Sequence, residues 1–556
     1  MKNIIFSVFI FLLSTSFVAN AQSKNGKVYS FTNLPVIAKT SFKKDTFNIV
    51  KYGAKNDGLT LNTKSINDAI IACNQKGGGV VLVPKGMWLT GPVELKSNVN
   101  LHLQANAILQ FSSDFDQYPL VASNWEGLPQ MRNQSPLWAT NQQNIAITGL
   151  GIVDGAGDAW RMVKKEKLTE SQWNKLISSG GIVSEDKKVW HPSEKNFKGS
   201  KMKNPGEITP DKTPEFYQSI KDFLRPNLLV FTSCKRILLE GVTFQNSPAW
   251  NIHPLMCEDL TVRNVYAKNP WYAQNGDGID IESCKNVLIE GSTFDVGDDG
   301  ICIKSGRDAA GRKRGMPTEN VIIRNSTVYH AHGGFVIGSE MSGGAKNIFV
   351  SDCSFIGTDI GLRFKTTRGR GGVVENIFIK NINMKDIIGE AILFDMYYAA
   401  VDPVPLKGEK REAPKVVLLP VTEETPVFRN FDIKNVVCDG AAKAIFVRGL
   451  PELSISNIKL ENLTIKAKEG IDIQEAKNIS LNNVNLHIAD ANPLINIQNG
   501  NQLNFKNISY NSAELLFRVS GDRNSGISST GLDLSKAKSK NEFLAGATEK
   551  SLQINK

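Results

Sequence analysis

The stretch from Gly276 to Gly306, GDGIDIESCKNVLIEGSTFDVGDDGICIKSG, decides how the rest of the chain is read. Within it, Asn286-Val287-Leu288-Ile289-Glu290-Gly291 alternates apolar and polar side chains between an asparagine corner and a glycine corner, the pattern of a short strand with one face buried. The phrase recurs at Asn98 (NVNLHL), Asn144 (NIAITG), Asn320 (NVIIRN), Asn347 (NIFVSD), Asn376 (NIFIKN), Asn457 (NIKLEN) and Asn478 (NISLNN), with weaker copies at Arg236 (RILLEG) and Asp259 (DLTVRN). From Arg236 the steps are 23, 27, 34, 27 and 29 residues. Short strands, polar corners and a period in the twenties describe an all-β parallel β-solenoid, in which each coil buries its apolar face only against its neighbours. Asparagine at equivalent corners tolerates the left-handed conformation and can hydrogen-bond along the stack. Helical periodicity is nearly absent from Val80 onward.

Working outward, Cys234, Cys257 and Cys284 each fall two residues before the aligned position and are expected to form an interior ladder of thiols. Seven cysteines are an odd number and sparse for this length, so buried free thiols are expected rather than a disulfide scaffold. Upstream, Thr63 reads as the N-cap of a short helix whose Ile66, Ala69, Ile70 and Cys73 share one face, a lid for the open end of the stack. Residues 1–21 read as a signal peptide ending in Ala19-Asn20-Ala21, and residues 22–45 as an N-terminal extension. The β-helix is expected over 46–520, interrupted by insertions at 155–225 and 398–427 that wall a binding site, with a loose tail at 521–556.

Four polar clusters occupy consecutive coils: Asn275-Gly276-Asp277-Gly278-Ile279-Asp280, Gly297-Asp298-Asp299-Gly300, Ala331-His332-Gly333-Gly334 and Arg363-Phe364-Lys365. Asp277 and Asp299 are 22 residues apart, His332 follows after 33 and Arg363 after another 31. Neighbouring coils lie roughly 4.8 Å apart, so the clusters form one patch. Adjacent strand residues point to opposite faces, and Asp298 and Asp299 serve one cleft only if the chain bends there, which Gly297 and Gly300 permit. Any one cluster alone reads equally as a turn or a solvated strand face. Together, three carboxylates, an imidazole and two cations suit glycoside hydrolysis of an acidic sugar. One acid protonates the leaving oxygen, another carboxylate activates water, and crowding raises one pKa into a useful range.

The net charge of +10 fits nucleic acid, anionic lipid or an acidic polysaccharide and does not choose among them. No nucleic-acid-binding motif is present, no segment after the leader is long and apolar enough to span a bilayer, and no CxxC or His/Cys cluster suggests a metal or other cofactor. The acid clusters favour an acidic polysaccharide as the expected partner, with the protein a monomer, secreted or periplasmic.

The clusters resemble the NTD, (G/Q)DD, (G/S)HG and RIK hallmarks of glycoside hydrolase family 28, the polygalacturonases, written here as NGD, GDD, AHG and RFK. The segments around them are similar to bacterial exo-acting members, and Tyr52–Gly58 (YGAKNDG) resembles the opening of pectin-degrading β-helices. The resemblance covers about residues 46–400. It implies a right-handed parallel β-helix, pectin-type acidic polysaccharides or oligogalacturonides as partners, and an inverting mechanism with Asp298 as general acid and Asp277 and Asp299 holding and deprotonating the attacking water. His332 would tune the acid, Arg363 and Lys365 would grip the galacturonate carboxylate, and Asn275 would orient the site. Gly276, Ala331 and Phe364 depart from the hallmarks without removing a reacting group. Position adds His253, Glu340 and Tyr397 (or Tyr398) as candidate substrate contacts, and a basic loop of Lys304, Arg307, Arg312, Lys313 and Arg314 beside the acids. A β-helical pectate lyase using calcium on Asp277, Asp298 and Asp299, a hydrolase of rhamnogalacturonan, and a non-catalytic carbohydrate-binding solenoid remain as alternatives.

Overall fold

The computed structural model describes residues 28–400 and 418–555. The leader and most of the 398–427 insertion lie outside the described residues. The chain is a right-handed parallel β-helix: among the described residues thirty-five strands pair into one continuous wrapped sheet, most of them hydrogen-bonded to their equivalents one coil before and after. The register follows the repeat. Leu260, Val287, Val321, Ile348, Ile377, Phe431, Ile458, Ile479 and Leu503 stack in a single inward row, and each is at most 1% exposed. Burying each such side chain contributes about 1.5–3 kcal/mol, repeated on every coil.

The corner asparagines behave as their chemistry requires. Asn98, Asn144, Asn286, Asn320, Asn347, Asn376, Asn430, Asn457 and Asn478 all have φ between 53° and 63°, a region few non-glycine residues adopt. Their amides link coil to coil, as in Asn320 Nδ2 to Asn286 Oδ1 (3.1 Å), Asn347 to Asn320 (3.2 Å), Asn457 to Asn430 (2.9 Å) and Asn478 to Asn457 (2.7 Å). A second ladder, not apparent from the repeat alone, runs from Asp352 through Asn381, Asn435, Asn462 and Asn483. The thiol ladder is also present: all seven cysteines are free and buried, and the Cys257 N–H points at Cys284 Sγ, 3.4 Å away.

The lid helix spans Thr63–Gln75 and buries Ile66, Ala69, Ile70 and Cys73. Its N-cap is Asn62 rather than Thr63. The Asn62 amide is consumed by the backbone of Lys55, Thr60 and Leu89, and Thr63 Oγ1 accepts from the Gly91 N–H.

Three further features differ from the sequence reading. The 155–225 insertion carries helices at Glu170–Ser178, Glu194–Ser200 and Pro214–Gln218 and a small antiparallel sheet, held by its own Val163/Trp173/Trp190 and Tyr217/Ile220/Leu224 clusters. Residues beyond Ser520 are not a loose tail. Ile527–Thr530, Ala537–Leu544 and Leu552–Asn555 add further coil, seated by buried Ile527, Leu532 and Leu552. Finally, Leu120–Trp125 and Leu128–Asn133 form an antiparallel hairpin projecting from the stack. Its two turn residues, Glu126 and Gly127, have φ of 47° and 79°, the primed turn that matches strand twist.

Candidate active site

The site lies on one face of the sheet, where Ile252–Leu255, Ile279–Glu282, Asp299–Lys304, Gly333–Ile337, Leu362–Lys365 and Glu390–Asp395 run side by side. Alternation turns Ile279, Ile281, Ile301 and Ile303 into the core and Asp280, Glu282, Cys302 and Lys304 to the opposite face. Asp298 and Asp299 share the cleft because the strand begins at Asp299 and Asp298 sits in the turn before it. Packing allows this only with glycines on either side: a Cβ at Gly297 would lie 2.6 Å from the Pro270 carbonyl, and one at Gly300 would lie 2.4 Å from Val328 Cγ1.

The structure brings Asp277, Asp298 and Asp299 together, with a carboxylate oxygen from each within 4.8 Å of the other two. Their surroundings separate their chemistry. Asp299 is buried, yet its oxygens meet Lys365 Nζ at 2.7 Å and Arg363 at 3.2 Å. Burial favours its neutral form, but Lys365, Arg363 and Lys304 overcome that and hold it far below the usual carboxylate range. Asp298 has the most open side chain of the three, 21% exposed. Its Oδ1 lies 3.2 Å from His332 Nδ1 and its Oδ2 accepts the Asn275 N–H at 3.1 Å. Burial opposes its ionisation, and the hydrogen bond and charge of His332 more than offset this, so its pKa falls. The same bond raises His332 above the ordinary imidazole range, with further support from Asp299 and Asp359. Asp277 is pushed well up, first by burial and then by Asp280 and Asp298. The crowding expected from sequence thus raises Asp277 and its neighbour Asp280, not Asp298.

Asp280 is 0% exposed. Among the described residues neither of its oxygens has a hydrogen-bond partner, and Lys304 Nζ lies 3.5 Å away. Burial raises its pKa well above the ordinary value. The GDGID phrase contains it, but nothing in the spacing distinguishes a buried acid from a turn residue. The trio could hold a cation by oxygen count, but Asp299 already has two protein cations on its oxygens.

Other predicted residues fall differently. Asn275 serves through its backbone, its side-chain oxygen taking a hydrogen bond from Arg225 at 3.0 Å. His253 is only 1% exposed. It lies one coil before Asp280 but is sealed under Trp250 and bound to Glu282 at 2.8 Å and Asn227 at 3.1 Å, so it supports the floor rather than lining it. Glu340 is held at about 2: burial opposes this, but Lys304, Lys365 and Arg370 prevail. It meets Lys304 Nζ at 3.0 Å. Tyr397 is buried against Arg368, whereas Tyr398 sets its ring 5.0 Å from Lys365 Nζ and 6.0 Å from Arg363. The residue facing the cations is therefore Tyr398. Most of the basic loop forms a helix, Asp308–Arg314, and its cations are paired: Arg307 with Glu126, Arg312 with Glu424, Arg314 with Glu282, and Lys304 with Glu340. Of the five, only Lys313 is exposed.

The hairpin was missed by sequence reading. Its tip docks beside the acid coil, with Gly127 O accepting from the Arg307 N–H at 3.3 Å and Glu126 3.3 Å from the Arg307 guanidinium. Trp125 stacks on Trp250 at 5.9 Å, and Lys304 Nζ lies 4.8 Å from the Trp250 ring. The hairpin strand Val121–Asn124 and the sheet residues Trp138, Val230, Thr232 and Leu255 line a groove of about 540 Å³.

A β-helix presenting crowded acids, one under an imidazole and another clamped by cations, defines a carbohydrate-cleaving enzyme: the protein is a glycosidase. Residues 217–425 match the family model of glycosyl hydrolases family 28, the family the chain resembles, and residues 46–209 match the model described as rhamnogalacturonase A/epimerase, pectate lyase-like. Among relatives, a probable polygalacturonase of Vitis vinifera is 27% identical over 473 residues, 83% of this chain and 81% of its own. The exo-poly-alpha-D-galacturonosidase of Dickeya chrysanthemi is 27% identical over 499 residues, 83% of this chain and 77% of its own. Among solved structures, a hyperthermoactive exopolygalacturonase from Thermotoga maritima aligns with a TM-score of 0.64 at 29% identity, covering 85% of this chain and 93% of that one.

Proposed function

We propose that the protein is an exported hydrolase that cleaves α-1,4-galacturonosyl linkages of pectin from one chain end, with inversion. The observation that carries the reading is the cation pair on Asp299: Arg363 and Lys365, with Tyr398 alongside, form a carboxylate-binding corner within reach of the acids. A galacturonate carboxylate entering this corner competes with Asp299 for both cations. That restores basicity to Asp299, which then deprotonates the water that it holds together with Asp277. The same sugar excludes solvent from Asp298, the open acid, and adds negative charge, so its pKa rises. His332 bonds Asp298 directly and passes it the proton needed for the leaving oxygen. The crowding of the acids is tighter than the roughly 6.5–9.5 Å between carboxyls in most inverting enzymes, so stereochemistry is the informative test. Proton NMR of the first product should show the β-anomer. The α-anomer appearing first would replace inversion with retention.

Exo action is favoured by the hairpin, whose tip docks on Arg307 beside the acid coil and would block one end of the cleft. The relatives from Dickeya chrysanthemi and Thermotoga maritima, named for exo activity, support it. Timed chromatography of polygalacturonate digests should show one short product from the first minutes, without a ladder of lengths and without the ultraviolet absorbance of unsaturated ends. An early ladder would make the enzyme endo-acting, and unsaturated ends would make it a lyase. Rhamnogalacturonan run alongside distinguishes the remaining substrate alternative.

A further inference from the structure

Beyond the catalytic strands the same sheet face continues through Lys443–Arg448, Ile455–Gln474, Ala476–Gln498 and Ala513–Ser520. Here it bears a second cavity, of about 330 Å³, floored by Asp472, Gln474, Asn496 and Gln498 with Lys443 and Arg518 at its edges. The floor residues are in register across two coils, Asp472 beside Asn496 and Gln474 beside Gln498. The wall is built by a local irregularity: the register between these coils shifts between Glu469 and Ile471, and the chain at Asp490–Pro493 bulges out to line the cavity. Counting coils from Arg363 through Leu393 and Phe446 to Asp472, at roughly 4.8 Å each, the cavity lies about 15 Å from the carboxylate-binding corner.

Its chemistry differs from that corner. Lys443 Nζ is 3.3 Å from Glu469 and 3.7 Å from Asp472, and Arg518 is bound to Glu542 at 2.6 Å. With both cations neutralised inside the protein and carboxylates in the lining, the cavity does not suit an anion. Among the described residues no aromatic side chain lines it, so a flat apolar ligand has no platform. Side-chain amides both donate and accept, and a concave pocket of amides beside a carboxylate matches a ligand of many hydroxyl groups. We propose that this cavity is a second carbohydrate site, selective for uncharged sugars, independent of the catalytic cleft and of the substrate assigned to it. On a branched pectin it would hold a neutral side chain while galacturonate occupies the cleft.

Saturation-transfer NMR on the full chain, with methyl galactoside, methyl rhamnoside, arabinose and galacturonate as separate probes, tests this. At least one neutral sugar should bind with roughly millimolar affinity, and Asn496→Leu and Gln498→Leu should each abolish its signal while leaving polygalacturonate hydrolysis within about twofold of wild type. These two side chains are only half-buried, so both variants are expected to fold, and circular dichroism checks that. The proposal is overturned if no neutral sugar binds, if binding survives both variants, or if galacturonate is the probe whose signal these variants remove.

Discussion

Coils from 252 to 395 and coils from 427 to 555 are wound alike but loaded differently. In the first set the outward positions of the cleft strands hold Asp280, Glu282, Asp299, Lys304 and Lys365, all at most 5% exposed. In the second set the corresponding rows hold Asp472, Asn496 and Gln498, with Gln474 the buried amide among them. Both sets share the inward aliphatic rows and the asparagine ladders, so these maintain the fold. The outward rows are free to vary, and function resides there. Burying charge costs several kcal/mol per ion unless it is paired, and the first set accepts that cost at the site where acid, base and anion-binding groups must sit within one sugar's reach.

The comparison can be broken at its charged end. Asp298→Asn should lower the rate of galacturonan hydrolysis by about 10²–10⁴-fold with only a small fall in the thermal midpoint, because Asp298 is partly exposed and its replacement keeps the hydrogen bond from Asn275 while losing the charge that faces His332. A variant that retains activity would remove Asp298 from the acid role. Lys365→Ala should reduce both activity and stability, the latter by about 3 kcal/mol, since it strips the 2.7 Å partner from buried Asp299. Asp299 has a depressed pKa in the folded state, so it contributes stability above the unfolded carboxylate range that is lost as pH falls through the folded value. Relieving that depression should move the acid-unfolding midpoint of Lys365→Ala to higher pH, read by fluorescence. An unchanged midpoint would mean the pair does not set acid stability.

His332 carries the opposite sign. Its raised pKa contributes stability that is complete below the unfolded imidazole value of 6.5 and lost as pH rises through the folded value. Activity that needs the protonated imidazole should fall on the alkaline side, and His332→Ala should remove that limb from the pH–rate profile. At the other end of the comparison, Asn457→Ala breaks a ladder position with φ of 58° and amide bonds to both neighbouring coils. It should cost about 1–2 kcal/mol by denaturant titration, with hydrolysis unaffected.

The division explains what was legible in sequence. The inward rows and asparagine corners repeat with the coil, so the solenoid and its thiol ladder could be read directly, and the acid clusters stood out because they interrupt that repeat in successive coils. What was missed depended on partners distant in the chain. The pairing of Arg307 with Glu126 or of Arg314 with Glu282 leaves no local trace, so the basic loop looked available. Tyr397 and Tyr398 are adjacent just past the end of a strand, and only the turn decides which faces the cations. The hairpin at 120–133 signals itself only through Glu126-Gly127. In the last coils, abundant Ser and Lys concealed buried Ile527, Leu532 and Leu552, of which Ile527 and Leu552 stack one coil apart rather than by any local period.

The most direct test is the structure of Asp298→Asn soaked with trigalacturonate. The ligand should lie with one sugar carboxylate between Arg363, Lys365 and the Tyr398 ring, its adjoining glycosidic oxygen against residue 298, and its far end stopped by the Glu126–Gly127 tip. A trisaccharide that passes the hairpin tip, or that leaves Arg363 and Lys365 bound only to Asp299, would contradict the account.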